Sequence, residues 1–211
     1  MGRTRLVLLA AAAVLAISAL ASIASASGSE QWYVAGAGLA GGSTQEVVEK
    51  ATVGKNAELS VSGVSVLVTC SGLKAKKTFI KGLAEMTAES LVFTGCAANN
   101  NCTVTTEIST TPLVAAVKDV VGSTKEVEIK FEPVTPTKFA NITFSGTKCP
   151  LTGTEAIRGT MKTMMPNGQT EATTQELVTN SSGELKVGTN PATLKSTLKD
   201  ELVSKKMWSF H

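Results

Sequence analysis

One histidine, two aspartates and fifteen glutamates bound the chemistry open to this 211-residue chain. The histidine is the final residue, His211, and the aspartates are Asp119 and Asp200. A Ser-His-Asp triad, a histidine-bearing zinc site and a Cys-His nucleophile all need a positioned imidazole. A chain terminus holds one poorly, so the sequence argues against all three. Nor is there an Asp-x-Asp-x-Asp calcium loop. What remains is a pair of glutamates working as in glycoside hydrolysis, which needs no histidine. Most glutamates here alternate with apolar residues, which places them on the wet side of a sheet. A carbohydrate cleft also wants stacking aromatics, for which only Trp32, Tyr33 and Trp208 are suited.

Two motifs match in letters and lack their context. Gly36-Ala37-Gly38-Leu39-Ala40-Gly41 spells the dinucleotide fingerprint. The chemistry, however, needs a strand before it, a helix after it and a βαβ unit around it. Alternating sequence follows instead, so the stretch reads as a turn between two strands. Ser71-Gly72-Leu73-Lys74 and Ser196-Thr197-Leu198-Lys199 match the Ser-x-x-Lys of penicillin-recognising enzymes, but no Lys-Thr-Gly accompanies them. No cofactor is implied. Asn101, Asn141 and Asn180 sit in glycosylation-type tripeptides.

The four cysteines are Cys70, Cys96, Cys102 and Cys149. No C-x-x-C pair exists, so zinc is disfavoured and two disulfides are expected, with three possible connectivities. Cys96–Cys102 with Cys70–Cys149 is the pairing favoured here. The intervening Ala97-Ala98-Asn99-Asn100-Asn101 is small and tolerant of left-handed conformations, and so can turn back within disulfide reach. Cys70–Cys96 with Cys102–Cys149 is its nearest competitor.

The elements that must position these residues are strands. After residue 26 there are 27 threonines, with many valines and few aromatics, a composition that suits a pleated surface. Strict alternation marks strands at Glu58–Ser62, Val64–Cys70 and Val127–Glu132. Phe139–Phe144 follows a Pro133…Pro136 turn and is expected to pair with Val127–Glu132 as a meander. Asn167-Gly168 predicts a type I′ hairpin joining a strand near Glu155–Met164 to one near Thr170–Val178. Further strands are expected at Ser90–Cys96, Cys102–Ser109, Leu113–Val121, Glu184–Val187 and Glu201–Ser204. Between Lys74 and Ala88, Phe79, Ile80, Leu83 and Met86 fall at helical spacing, so that stretch reads as a short helix or as hairpin arms. Leu91-Val92-Phe93-Thr94-Gly95-Cys96 is echoed by Ile142-Thr143-Phe144-Ser145-Gly146 before Cys149, in each case a strand that ends in glycine and hands over to a cysteine. The fold class is therefore all-β: an antiparallel sandwich or barrel of roughly ten or more short strands with at most one short helix.

The N-terminus has the layout of a secretory signal peptide. Arg3 and Arg5 precede an apolar run from Leu6 to Leu20, and Ala24-Ser25-Ala26 supplies small residues for cleavage after Ala26. Residues 1–26 are the leader and 27–211 a single extracellular domain with no membrane span left. Against 17 acids the full chain has 20 lysines and arginines; losing Arg3 and Arg5 leaves it close to neutral. Such a balance argues against nucleic-acid partners. Lys74, Lys76, Lys77 and Lys81 read as a solvated face that protects against edge pairing.

Gln31-Trp32-Tyr33-Val34, Cys70, Phe93-Thr94-Gly95-Cys96 with Cys102, Phe144-Ser145-Gly146 with Cys149, and a terminal Lys-Met-Trp together resemble a group of secreted, β-rich, disulfide-containing proteins of actinobacterial type. The resemblance implies an extracellular β domain with disulfides and supplies no functional residues. This chain departs from that group at Val34-Ala35-Gly36, where an Asn-Gly-type turn is expected. The resulting expectation is a secreted, non-catalytic structural or binding module for an envelope component or other extracellular ligand. A hydrolase using paired glutamates is the alternative. A small inhibitor, presenting the 97–101 loop, is the third possibility.

Overall fold

A computed structural model describes residues 30–51, 57–135 and 138–211; the leader expected over residues 1–26 lies outside the described residues. Among the described residues there are seventeen strands and no helix. Fourteen form one antiparallel sheet that closes on itself; three short ones form a separate sheet.

The closed sheet is an up-and-down barrel of about eight staves, half of them two strands in line. The first stave is β3 (Thr44–Ala51) with β4 (Ala57–Val61). Next come β5 (Val66–Lys81) and β6 (Glu85–Ala98), each a stave alone. β7 (Thr103–Val104), β8 (Glu107–Ser109) and β9 (Leu113–Asp119) make the fourth. β10 (Val127–Pro133) continues into β11 (Ala140–Ser145), and β12 (Gly153–Gly159) into β13 (Met161–Met165). β14 (Thr174–Asn180) with β15 (Leu185–Val187) precedes the last stave, β16 (Asn190–Leu202). Closure comes from β16, which pairs with β14 and β15 on one side and with β3 and β4 on the other. A closed sheet leaves few unpaired edges for association.

Alternation explains why these segments are walls with one wet face. In β11, Ala140, Ile142 and Phe144 are buried while Asn141, Thr143 and Ser145 are exposed. β9 and β10 repeat the pattern, so the apolar set fills the barrel. At Gly159 the chain bends between β12 and β13 with φ at 110°, where any Cβ would collide with the Glu184 carbonyl.

The remaining strands are β1 (Trp32–Val34), β2 (Ala37–Gly38) and β17 (Trp208–Phe210), the two termini paired side by side. They cover the barrel end from which β3 departs and to which β16 returns. Trp32, Trp208 and Phe210 are fully buried there. The Trp32 ring lies 5.4 Å from that of Trp208 and 5.0 Å from that of Phe210, the latter edge-on. Trp32 donates its indole N–H to the Glu85 carbonyl at 2.9 Å, and Trp208 exchanges backbone bonds with Ala172. An aromatic ring of this size buries about 150–250 Å², or roughly 4–6 kcal/mol at the usual transfer coefficient. This plug is the largest apolar investment at that end.

Several sequence expectations are corrected. The disulfides are Cys70–Cys96 and Cys102–Cys149, the competing pairing, and not Cys96–Cys102 with Cys70–Cys149. Cys70 and Cys96 are direct Cα partners on β5 and β6, which puts them closer than any loop closure could. The Lys74–Ala88 stretch is hairpin arms: β5 and β6 stay in register around the Gly82-Leu83-Ala84 turn. Of the helical-looking stripe, Ile80 and Met86 face the core while Leu83 is 74% exposed. Val127–Glu132 and Phe139–Phe144 do not pair. They follow one another along the same stave, β10 bonding β9 and β13, β11 bonding β7 and β12; Pro136 of the expected turn lies outside the described residues. Asn167-Gly168 is no type I′ turn either, since neither residue has positive φ. Gly168 N–H bonds the Met165 carbonyl, Thr170 N–H bonds the Asn167 carbonyl, and β14 begins only at Thr174. By contrast Val34↔Ala37 brackets a two-residue hairpin with Ala35 at φ 51° and Gly36 at φ 75°. The type I′ turn therefore forms without asparagine, at the cost of an alanine in the left-handed region.

Candidate functional site

The inner wall changes character along the barrel. Near the disulfides it is apolar, with a small cavity of about 30 Å³ bounded by Ala57, Leu59, Val68, Phe93, Phe139 and Leu194 among others. Toward the plug it carries polar groups. Thr163 and Thr179, direct partners on β13 and β14, share a hydroxyl–hydroxyl bond of 2.9 Å. Two inward positions along, past Leu177, Gln175, Asp200 and Glu49 lie side by side on β14, β16 and β3, each the Cα partner of the next.

Alternation puts this acid row inside. On β16, Ala192, Leu194, Ser196, Leu198, Asp200 and Leu202 alternate inward and are buried, Lys195 and Lys199 face solvent, and Glu201, on the opposite face, is buried beside Lys205. Asp200 is 0% exposed and both its carboxylate oxygens lack a hydrogen-bond partner. Glu49 takes a hydrogen bond from the Ala75 backbone, yet its Oε2 has none. Thr78 is buried on β5 with an unpartnered Oγ1; its Cα partner is Val47, two residues from Glu49 on the same face of β3. Gln175 is anchored, donating its amide to the Thr170 carbonyl at 2.9 Å and the Trp208 carbonyl at 2.7 Å. That second bond ties the row to the plug. The Trp208 indole N–H is a further buried group without a partner.

Electrostatics follows from burial. Desolvation raises Glu49 to about 7, against the lowering effect of the Ala75 bond. Desolvation, then the charge of neighbouring Glu49, raises Asp200 well above the ordinary carboxylate range. Both shifts disfavour the charged forms, as expected for two like groups in an apolar interior.

The residues singled out from sequence are scattered. Asp119 ends β9, away from β16 and its acids, and donates its backbone N–H to Glu30 Oε1 at 3.0 Å.

 His211 lies at the chain end beside Tyr33 and Ser209, its Nε2 3.1 Å from the Ser209 hydroxyl. Ser71 and Ser196 sit on strands, so neither serine has its lysine one helical turn away; Ser196 faces the core and Lys199 the solvent. Gly36 and Gly38 belong to the β1–β2 hairpin, and no helix follows. The tryptophans form the plug and offer no stacking platform. The 97–101 segment is short and tied down, with Leu67 N–H bonding the Asn99 side chain at 2.8 Å. Glu49 and Asp200 are the residues that sequence reasoning missed as a pair. Asp200 carried one usable signal: it continues the buried alternation of Leu194, Ser196 and Leu198 where an apolar residue belongs.

Comparison with protein-family models, curated proteins and solved structures finds no match for the chain.

Proposed function

We propose that the chain works outside the cytoplasm as a non-catalytic structural or binding module, with an envelope component or another extracellular ligand as its partner. The observation that carries this reading is the distribution of carboxylates. Glu58, Glu107 and Glu176 face solvent on the barrel walls; Glu85 and Glu132 line one open depression of the outer wall, but both are exposed and Glu132 is paired with Lys130 at 3.1 Å. The one inward pair, Glu49 and Asp200, lies behind an aromatic plug and opens onto no described cleft that a polymeric substrate could enter. The leader-like N-terminus and the two disulfides support an oxidising destination.

Expression with the leader tests the destination: mass spectrometry of the medium should find a chain beginning at Ser27. A chain that keeps Leu6–Leu20, or one retained in the membrane, would overturn it. Incubation with chromogenic glycosides tests the rest. Hydrolysis by the wild type that disappears in Glu49→Gln would replace the module with a glycosidase.

A further inference from the structure

The acid row leaves a charge with nothing opposite it. Asp200 Oδ1 and Oδ2, Glu49 Oε2 and Thr78 Oγ1 are all buried and unpartnered. They face inward from three strands that lie next to one another, β16, β3 and β5. Of the described lysines of these strands, Lys195, Lys199, Lys74, Lys76 and Lys77 are exposed on the outer wall, and Lys81, half-buried, alternates with the inward-facing Ile80. Burying carboxylates without a countercharge is costly, and proteins meet that cost with a proton, a paired cation or a metal. Thr78 adds an orphaned neutral oxygen on an independent strand, a donor set that a shared proton between two acids does not require.

All these atoms are oxygens, which suits a hard cation and not zinc, whose sites draw on histidine and cysteine. Two carboxylates balance two positive charges. Magnesium keeps several waters and demands octahedral geometry, whereas calcium accepts irregular oxygen sets. The oxygens here come from three separate strands in an irregular set, so the calcium-like ion is the better fit. We propose that Glu49, Asp200 and Thr78 form an internal site for a hard divalent cation of calcium's size, which ties β16, β3 and β5 together beneath the plug. The indole N–H of Trp208 is a donor and takes no part as a ligand. The proposal stands apart from the module reading and survives its failure.

Thermal melts of the full chain after chelation decide it. At about pH 8, calcium at roughly a hundred times its Kd should raise the Tm by roughly 5–10 °C over the chelated protein. Calorimetric titration with calcium chloride should give one ion per chain. At about pH 5 the response should shrink, because the ligands must lose their protons to bind. The Glu49→Gln, Asp200→Asn double variant keeps shape and removes charge; it should fold, lose the calcium response, and melt at or above the chelated wild type. A wild type that melts identically with calcium and with chelator, and shows no heat of binding, overturns the proposal: protons or water alone then neutralise the pair. If the double variant does not fold, the wild-type comparison still decides.

Discussion

The two ends of the barrel are closed by different physics. At one end, Cys70–Cys96 joins neighbouring staves and Cys102–Cys149 joins two connections, around an inner wall of apolar side chains. At the other, no covalent bond closes the barrel among the described residues. Trp32, Trp208 and Phe210 pack over an interior that carries Gln175, Asp200 and Glu49. The disulfide end gains much of its stability by restricting the unfolded chain, the plug end by burying aromatic area in the folded one. A covalent end can keep a small void such as the 30 Å³ cavity. The plug end holds polar groups and relies on the exact fit of large rings for its closure.

Breaking the plug should cost most. Trp208→Ala or Trp32→Ala should destabilise by about 3–5 kcal/mol in urea unfolding, as large-to-small core changes do. A smaller loss would mean that the terminal strands contribute little. Next come the disulfides. The Cys102→Ala, Cys149→Ala pair removes a bridge across 47 residues and should cost about 4 kcal/mol; the Cys70→Ala, Cys96→Ala pair, across 26, about 3.5 kcal/mol. If reduction leaves the melt unchanged, the contrast between the ends fails.

Gly168→Val probes the plug end more gently, at about 1–3 kcal/mol by overpacking. A Cβ there would stand 2.7 Å from Val127 Cγ2 and 2.9 Å from Met165 Cβ. Crowding is the cause, because Gly168 has no positive φ. Gly168→Ala should therefore also destabilise. At the disulfide end, Val68→Ile points a methylene toward the cavity and should stabilise by up to about 0.8 kcal/mol.

The smallest effect belongs to the outer wall. Glu128 bonds Lys118 at 3.1 Å and also Lys162. Burial pushes Glu128 up, but the hydrogen bonds and charges of Lys162 and Lys118 outweigh it and hold the carboxyl below its ordinary value. A lowered folded-state pKa stabilises above the ordinary carboxylate range and loses that contribution as acid protonates the folded protein. Glu128→Gln should cost less than about 1 kcal/mol at neutral pH. Unfolding curves should show the difference vanishing as the pH falls below the ordinary carboxylate range.

Much of the fold was legible because alternation is local. Val127-Glu128-Ile129-Lys130-Phe131 announces one apolar face, and β10 has it. Pairing was less legible. A turn at Pro133 reads the same whether the chain reverses or only bends, and the bend was found. Asn167-Gly168 failed for a related reason: turn propensity yields to the packing of Gly168 against Val127. The Cys70–Cys96 bridge was hidden because its partners meet only once β5 and β6 fold into one long hairpin. The acid row was hidden because Glu49 and Asp200 are remote in sequence and, taken singly, resemble the many outward-facing acids.

By itself the sequence determined that the chain is made of strands with one wet and one dry face, and that its four cysteines form disulfides in an all-β molecule. The period of two in the side chains is a property of each segment alone, and so is the shortage of histidine and aspartate. Only the tertiary structure decided that the sheet closes, which cysteines meet, and that the two termini come together as an aromatic plug. Register and closure depend on contacts between residues far apart in the chain, such as Leu202 with Val47 and Trp32 with Phe210. The same long-range register sets Asp200 beside Glu49 and turns both carboxylates toward the interior.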